Sequence, residues 1–82
     1  MEAKEMFQKV YETYNRLFGD HHPSTINCLI NLATVHKDLH EYDLAVPLYE
    51  KAIEGRKVLE GEDSMNYAMV KAMAAGAYRE LG

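Results

Sequence analysis

Sliding the chain against itself by 42 residues pairs Gly19 with Gly61, Ala33 with Ala75, Leu39 with Leu81, Ala3 with Ala45 and Leu17 with Leu59. Lys9 meets Lys51 and Glu12 meets Glu54 in the same register, and Met6/Leu48, Phe7/Tyr49, Asp20/Glu62, Lys37/Arg79 and Asp38/Glu80 are similar pairs. The matches take in turn glycines as well as apolar positions, so a structural unit recurs and not merely a hydrophobic rhythm. A chain of this kind stacks copies of one supersecondary unit, each burying its apolar face against the next.

The unit is helical. Leu29, Leu32, Ala33 and His36 fall at helical spacing on one face, and Ala45, Leu48, Tyr49 and Ala52 do the same downstream. Upstream, Ala3, Phe7, Val10, Tyr14 and Leu17 form a stripe that Met6, Tyr11 and Phe18 widen. Gly19 stands where a left-handed residue commonly ends a helix, and Asp20 to Thr25 carry turn and start signals with Pro23 in the first turn. The spacing predicts helices over 2–18, 23–39, Tyr42 or Asp43 to about Leu59, and 64–81, the last capped by Ser64 or Asp63. His40 stands where sequences similar to this one usually carry Gly, so it is expected to adopt positive φ or let the turn reorganise, at a cost of about 1 kcal/mol relative to Gly. Pro47 lies early in the third helix and is expected to bend it slightly at most. The expected fold is all-α.

Eighty-two residues make one small domain, and a chain of this size buries only about 60–65% of the surface it exposes unfolded. A net charge of −4 and a pI near 5.5 argue against nucleic acid as a partner, because phosphate recognition needs a basic stripe. No apolar run approaches the roughly 20 residues of a membrane span, so no membrane partner is expected. One cysteine, Cys28, excludes an internal disulfide and a zinc knuckle. With an N-terminus that lacks a secretory apolar core, this suggests a reducing, cytoplasmic setting. There is no Gly-rich phosphate loop and no paired acid and base, so neither an enzyme nor a cofactor is expected. His36 and His40 have the i, i+4 spacing of a metal pair without an HExxH pattern, and His36 is read as packing, with no metal site.

The stretches FGDHHPST (Phe18 to Thr25), LINLATVHK (Leu29 to Lys37) and YDLAVPLYEKAIE (Tyr42 to Glu54) resemble the tetratricopeptide repeat. An ordinary repeat of that family has about 34 residues, and the longer period here resembles the kinesin-light-chain subtype. The sequence departs from that subtype at Asp20-His21, His36, His40 and Met65. The resemblance implies antiparallel helix pairs wound into a right-handed superhelix. It also implies the order second helix (2–18), complete repeat (23–59), first helix (64–81), so that the chain is a fragment of a longer array. Leu29, Leu32, Ala33, His36, Ala45, Tyr49 and Ala52, with Ala75 and Tyr78 in the next unit, take the packing positions.

In the family the first helix of each repeat lines a concave face, which here assigns the site to 23–39 and 64–81. Asn27, Asn31, Thr34 and Lys37 lie away from the packing stripe, with Arg79 equivalent to Lys37. The Asn matching Asn31 bonds the backbone of an extended peptide in relatives, since an amide both donates and accepts. Lys37 and Arg79 would receive acidic residues. The plainer reading of all five is a solvated helix surface. Met69 and Met73 replace Asn27 and Asn31 in the next unit and, with Met65, form a row suited either to an adaptable surface or to helix packing.

Two functions follow from this reading. One is a scaffold or adaptor module holding a peptide or protein surface in the groove. The other is a structural element that continues an array or self-associates without a separate ligand. Both end helices carry stripes that would face missing neighbours, so a homo-oligomer is expected, a dimer by end stacking or helix exchange. Light scattering from micromolar to millimolar protein checks this, with mass rising above that of one chain as the expected outcome and a constant monomer as the contrary one.

Overall fold

The computed structural model describes residues 3–81, with side chains from Glu5 to Leu81. Residue 2 and the side chain of Ala3, both assigned to the first helix above, lie outside them. Four helices make up the described chain, and no strand occurs among its residues: α1 (Ala3–Phe18), α2 (Pro23–Asp38), α3 (Tyr42–Glu60) and α4 (Met65–Leu81). Each helix packs on the next one. Connections of a few residues fold such neighbours back as helical hairpins.

The turns have the same construction where the sequence recurs. Gly19 and Gly61 both sit at φ 86°, and each N–H donates to the carbonyl four residues back, Asn15 or Lys57, at 2.9 Å. That backbone region admits glycine without the steric penalty a Cβ brings. At the following helix starts, His22 Nδ1 accepts the Ser24 N–H at 3.1 Å and Ser64 Oγ accepts the Asn66 N–H at 3.1 Å. Two different side chains thus perform one capping task 42 residues apart. Phe18 stacks on His22 with ring centroids 4.3 Å apart, which ties the end of α1 to the start of α2. His40 adopts the positive φ its position requires, at 62°, and its Nδ1 lies 2.9 Å from the Tyr42 hydroxyl. Helix α3 runs unbroken through Pro47.

The core lies on both sides of α3. Ile26, Leu29 and Ala33 of α2 meet Ala45, Val46, Tyr49 and Ala52, and the cluster continues into Val70, Ala74 and Ala77 of α4. Leu32 and Cys28 are also buried, and burial pushes the Cys28 thiol above its ordinary pKa. Full burial of a side chain such as Leu29 stabilises the fold by roughly 1.5–3 kcal/mol. Tyr49 has no exposed surface, and its hydroxyl, 3.0 Å from Thr34 Oγ1, finds the partner a buried phenol requires. His36 is buried in the stripe with Nδ1 2.8 Å from the Glu41 carboxylate.

Two expected packing residues differ. Ala75 is exposed, as is Tyr78, at 44% of its surface. Helix α4 buries Val70, Ala74 and Ala77 against α3, whereas Ala75 and Tyr78 correspond to Ala33 and His36, part of the face that α2 turns to the helix after it. No described helix follows α4, so that face has no partner. The Tyr78 phenol is instead hydrogen-bonded to Glu50, which holds its pKa above the ordinary value.

Helices α2 and α3 approach closely at Gly55, where an added Cβ would fall 2.7 Å from Ile26 Cδ1 and 2.8 Å from its Cγ1. Ile26 is fully buried and has little room to yield. Overpacking of this kind costs typically about 1–3 kcal/mol, against roughly 1 kcal/mol gained from helix propensity on replacing Gly by Ala. Thermal melts should therefore place Gly55→Ala below the parent, by roughly 4–8 °C for a net loss of about 1 kcal/mol. His40→Gly should move the melt in the opposite direction by relieving the left-handed backbone, less what the exposed Tyr42 contact contributes.

Candidate functional site

Helices α2 and α4 both pack on α3, and between them runs a groove. Asn27 and Ile30 line it from α2, Asn66, Met69 and Met73 from α4, and Arg56 of α3 enters between them, around a space of about 160 Å³. Farther along, Lys37 brings its ammonium to about 4.0 Å from where a Cβ on Gly76 would stand, so its side chain reaches across to α4 there. A larger recess of about 240 Å³ lies along α1, but only Lys9, Val10, Thr13 and Tyr14 of that one helix wall it. The groove between helices is the better site because polar groups from three elements converge in it.

Arg56 organises those groups. Its side chain is 11% exposed, and the guanidinium donates to Glu60 Oε2 through Nη1 at 2.9 Å and to Asn27 Oδ1 through Nη2 at 2.7 Å. Its Nε has no partner among the described residues. Glu60 also accepts from Ser64 Oγ at 2.8 Å and from Asn66 Nδ2 at 2.9 Å. One ion pair therefore joins α2, α3 and the start of α4. A buried guanidinium persists only where paired and hydrogen-bonded, and Glu60 with Asn27 meets that condition.

Asn27, expected at the site, lines the groove. Asn31 is exposed one turn on. Thr34 is half-buried, and its hydroxyl donates to the Ile30 carbonyl at 2.8 Å while facing Tyr49. That hydroxyl serves the core and is not presented to a ligand. Lys37 is half-buried and Arg79 exposed. Met69 and Met73 line the groove opposite Asn27, and Met65 is 79% exposed. His36 and His40 take separate partners, Glu41 and Tyr42. Among the described residues no three His, Cys, Asp or Glu side chains come together as metal ligands, and no helix is long and apolar enough to cross a membrane.

Arg56 and Glu60 were not among the expected site residues. The signal was present: Ala45, Tyr49, Ala52 and Arg56 continue one helical stripe, so a charge stands where the pattern calls for an apolar residue.

A family model described as tetratricopeptide repeat matches residues 1–57. The chain belongs to the tetratricopeptide-repeat family. It is 35% identical over 74 residues to a Clustered mitochondria protein homolog of Meyerozyma guilliermondii, an alignment covering 90% of the chain. It is 31% identical over 74 residues to the homolog of Debaryomyces hansenii, again over 90% of the chain. The chain spans about 6% of the length of these relatives. No solved structure matches it. Tetratricopeptide repeats are a protein-interaction fold, and the groove between α2 and α4 lies between the two helices that are equivalent in the 42-residue repeat.

Hydrogen bonds from Asn66 and then Ser64, with a smaller contribution from Arg56, hold the Glu60 pKa below its ordinary value of 4.5. A carboxylate depressed in the folded state contributes stability that is complete above its unfolded pKa and lost as pH falls through the folded one. Chemical denaturation should show this contribution unchanged from neutral pH down to the ordinary carboxylate range and declining below it. Glu60→Gln should be less stable at neutral pH and show a shallower acid decline.

Proposed function

We propose that this chain is a segment of a longer tetratricopeptide array that holds a peptide or a protein surface in the groove between α2 and α4. The observation that carries this reading is the convergence of Asn27, Arg56 and Asn66 on a trough walled by Ile30, Met69 and Met73. Methionine adapts its shape to varied partners, and the amides supply direction. Asn31 extends the polar row by one helical turn, and Lys37 with Arg79 gives a cationic end suited to acidic residues. The common setting of Gly19 and Gly61 favours a kinesin-light-chain-like period, and the likeness to Clustered mitochondria protein homologs favours a much larger parent of that kind. Binding in the groove, rather than catalysis, is the activity we assign.

A second reading, array continuation or self-association without a separate ligand, is favoured by the exposed Ala75, Tyr78 and Met65 face of α4. Titrating acidic and aromatic peptides into the chain and into Asn31→Ala, followed by backbone and methyl NMR, separates the two. Saturable shifts along α2 and α4 that weaken several-fold in the variant are expected for groove binding. Absence of any response in either protein supports the second reading.

A further inference from the structure

The two outer helices carry faces whose repeat equivalents are packed together inside the chain. Helix α2 turns Ile26, Leu29 and Ala33 to α3, and the same positions of α4, 42 residues on, are Ala68, Lys71 and Ala75, all exposed. Helix α3 turns Tyr49, Ala52 and Gly55 to α2, and 42 residues back α1 carries Phe7, Val10 and Thr13. The recess of about 240 Å³ along α1 is walled by Lys9, Val10, Thr13 and Tyr14, which are equivalent to Lys51, Ala52, Gly55 and Arg56. It therefore lies where α3 seats Ile26. Helices α1 and α4 are not among the pairs that pack on one another within the chain.

Residues on these two open faces differ from their α2–α3 equivalents in step. Ile26 against Gly55 is matched by Ala68 and Thr13, so the large member changes helix while each pair keeps four side-chain heavy atoms in all. Thr34, whose hydroxyl lies 3.0 Å from that of Tyr49, is matched by Gly76, and Tyr49 by Phe7, so both hydroxyls are absent together. Asn27, which accepts from Arg56 at 2.7 Å, is matched by Met69, and Arg56 by Tyr14, which exchanges a charged hydrogen bond for a thioether on an aromatic ring. A change on one face alone would leave a clash, an orphaned hydroxyl or a stranded guanidinium. Lys71, where α2 has Leu29, holds its ammonium over the Tyr67 ring at 5.2 Å, which leaves its aliphatic stem to be covered.

We propose that α4 of one copy of this chain docks on α1 of a second copy in the register of the α2–α3 seam. Ala68 enters the α1 recess beside Thr13, Gly76 meets Phe7, and Met69 lies on Tyr14. Unlike faces meet, so the contact is heterologous, and every added copy presents a fresh α4. The assembly grows by further copies instead of ending at a two-fold dimer. The inference rests on the self-association reading above and adds which faces meet and in what register.

Sedimentation of the 82-residue chain, of Ala68→Ile and of Ala68→Ile combined with Thr13→Gly, from micromolar to millimolar protein, tests it. Ala68 is exposed, so the larger side chain leaves the fold of a single copy in place, which thermal melts check. The mass of the parent is expected to rise past two chains. Ala68→Ile should overfill the recess and raise the dissociation constant about tenfold. Adding Thr13→Gly reproduces the pairing of Ile26 with Gly55 and should bring the constant back to within about threefold of the parent. Association that Ale68→Ile does not weaken, that Thr13→Gly does not restore, or that stops at two chains overturns the inference while leaving self-association intact. A monomer at every concentration removes the self-association reading and the inference with it.

Discussion

Close approach of α2 to α3 is the constraint on which the rest of the structure depends. Ile26 lies where a methyl on Gly55 would overlap it, and Ala33, Ala45 and Ala52 keep the remainder of that seam narrow. Small residues let the two backbones come near enough for one large side chain, Tyr49, to lose all contact with solvent. Its hydroxyl reaches Thr34 across the seam, so the deepest polar group of the core also fixes how the two helices are aligned along their length. A chain this short has little surplus stability, and a seam that tight leaves few alternative packings.

The same seam delivers Arg56 to the groove. Arg56 follows Gly55, where α3 lies tight against Ile26, and its guanidinium emerges beside Asn27 rather than in open solvent. Removing Glu60 would leave the buried Arg56 guanidinium without its charge partner, which is costly. The polar network is therefore bound to the helix geometry, and the geometry to the network. Groove and fold share residues here, and the side chains that line the groove are held by groups that pack in the core.

Helix α4 shows how burial depends on a covering helix. Val70, Ala74 and Ala77 pack on α3, while Ala75 and Tyr78, equivalent to the buried Ala33 and His36, are exposed. The residue types are those of a packing face, and burial is decided by whether a neighbouring helix is there to cover it. Sequence periodicity reports the capacity to pack, which is why Ala75 and Tyr78 read as core without being so in this chain.

Apolar spacing, the glycine pair and the capping residues determined the helices almost to the residue, because each is a local consequence of backbone sterics and hydrogen bonding. The left-handed backbone at His40 was expected from the glycine that similar sequences carry there. Asn27 was legible as a polar residue off the packing stripe, but not the sense of its hydrogen bond. The withdrawal of Thr34 into the core, the contact of Arg56 with Asn27 and that of Asn66 with Glu60 were decided only by the tertiary structure. Those features join α2, α3 and α4, and a helical pattern specifies which face a residue occupies without specifying what stands across from it.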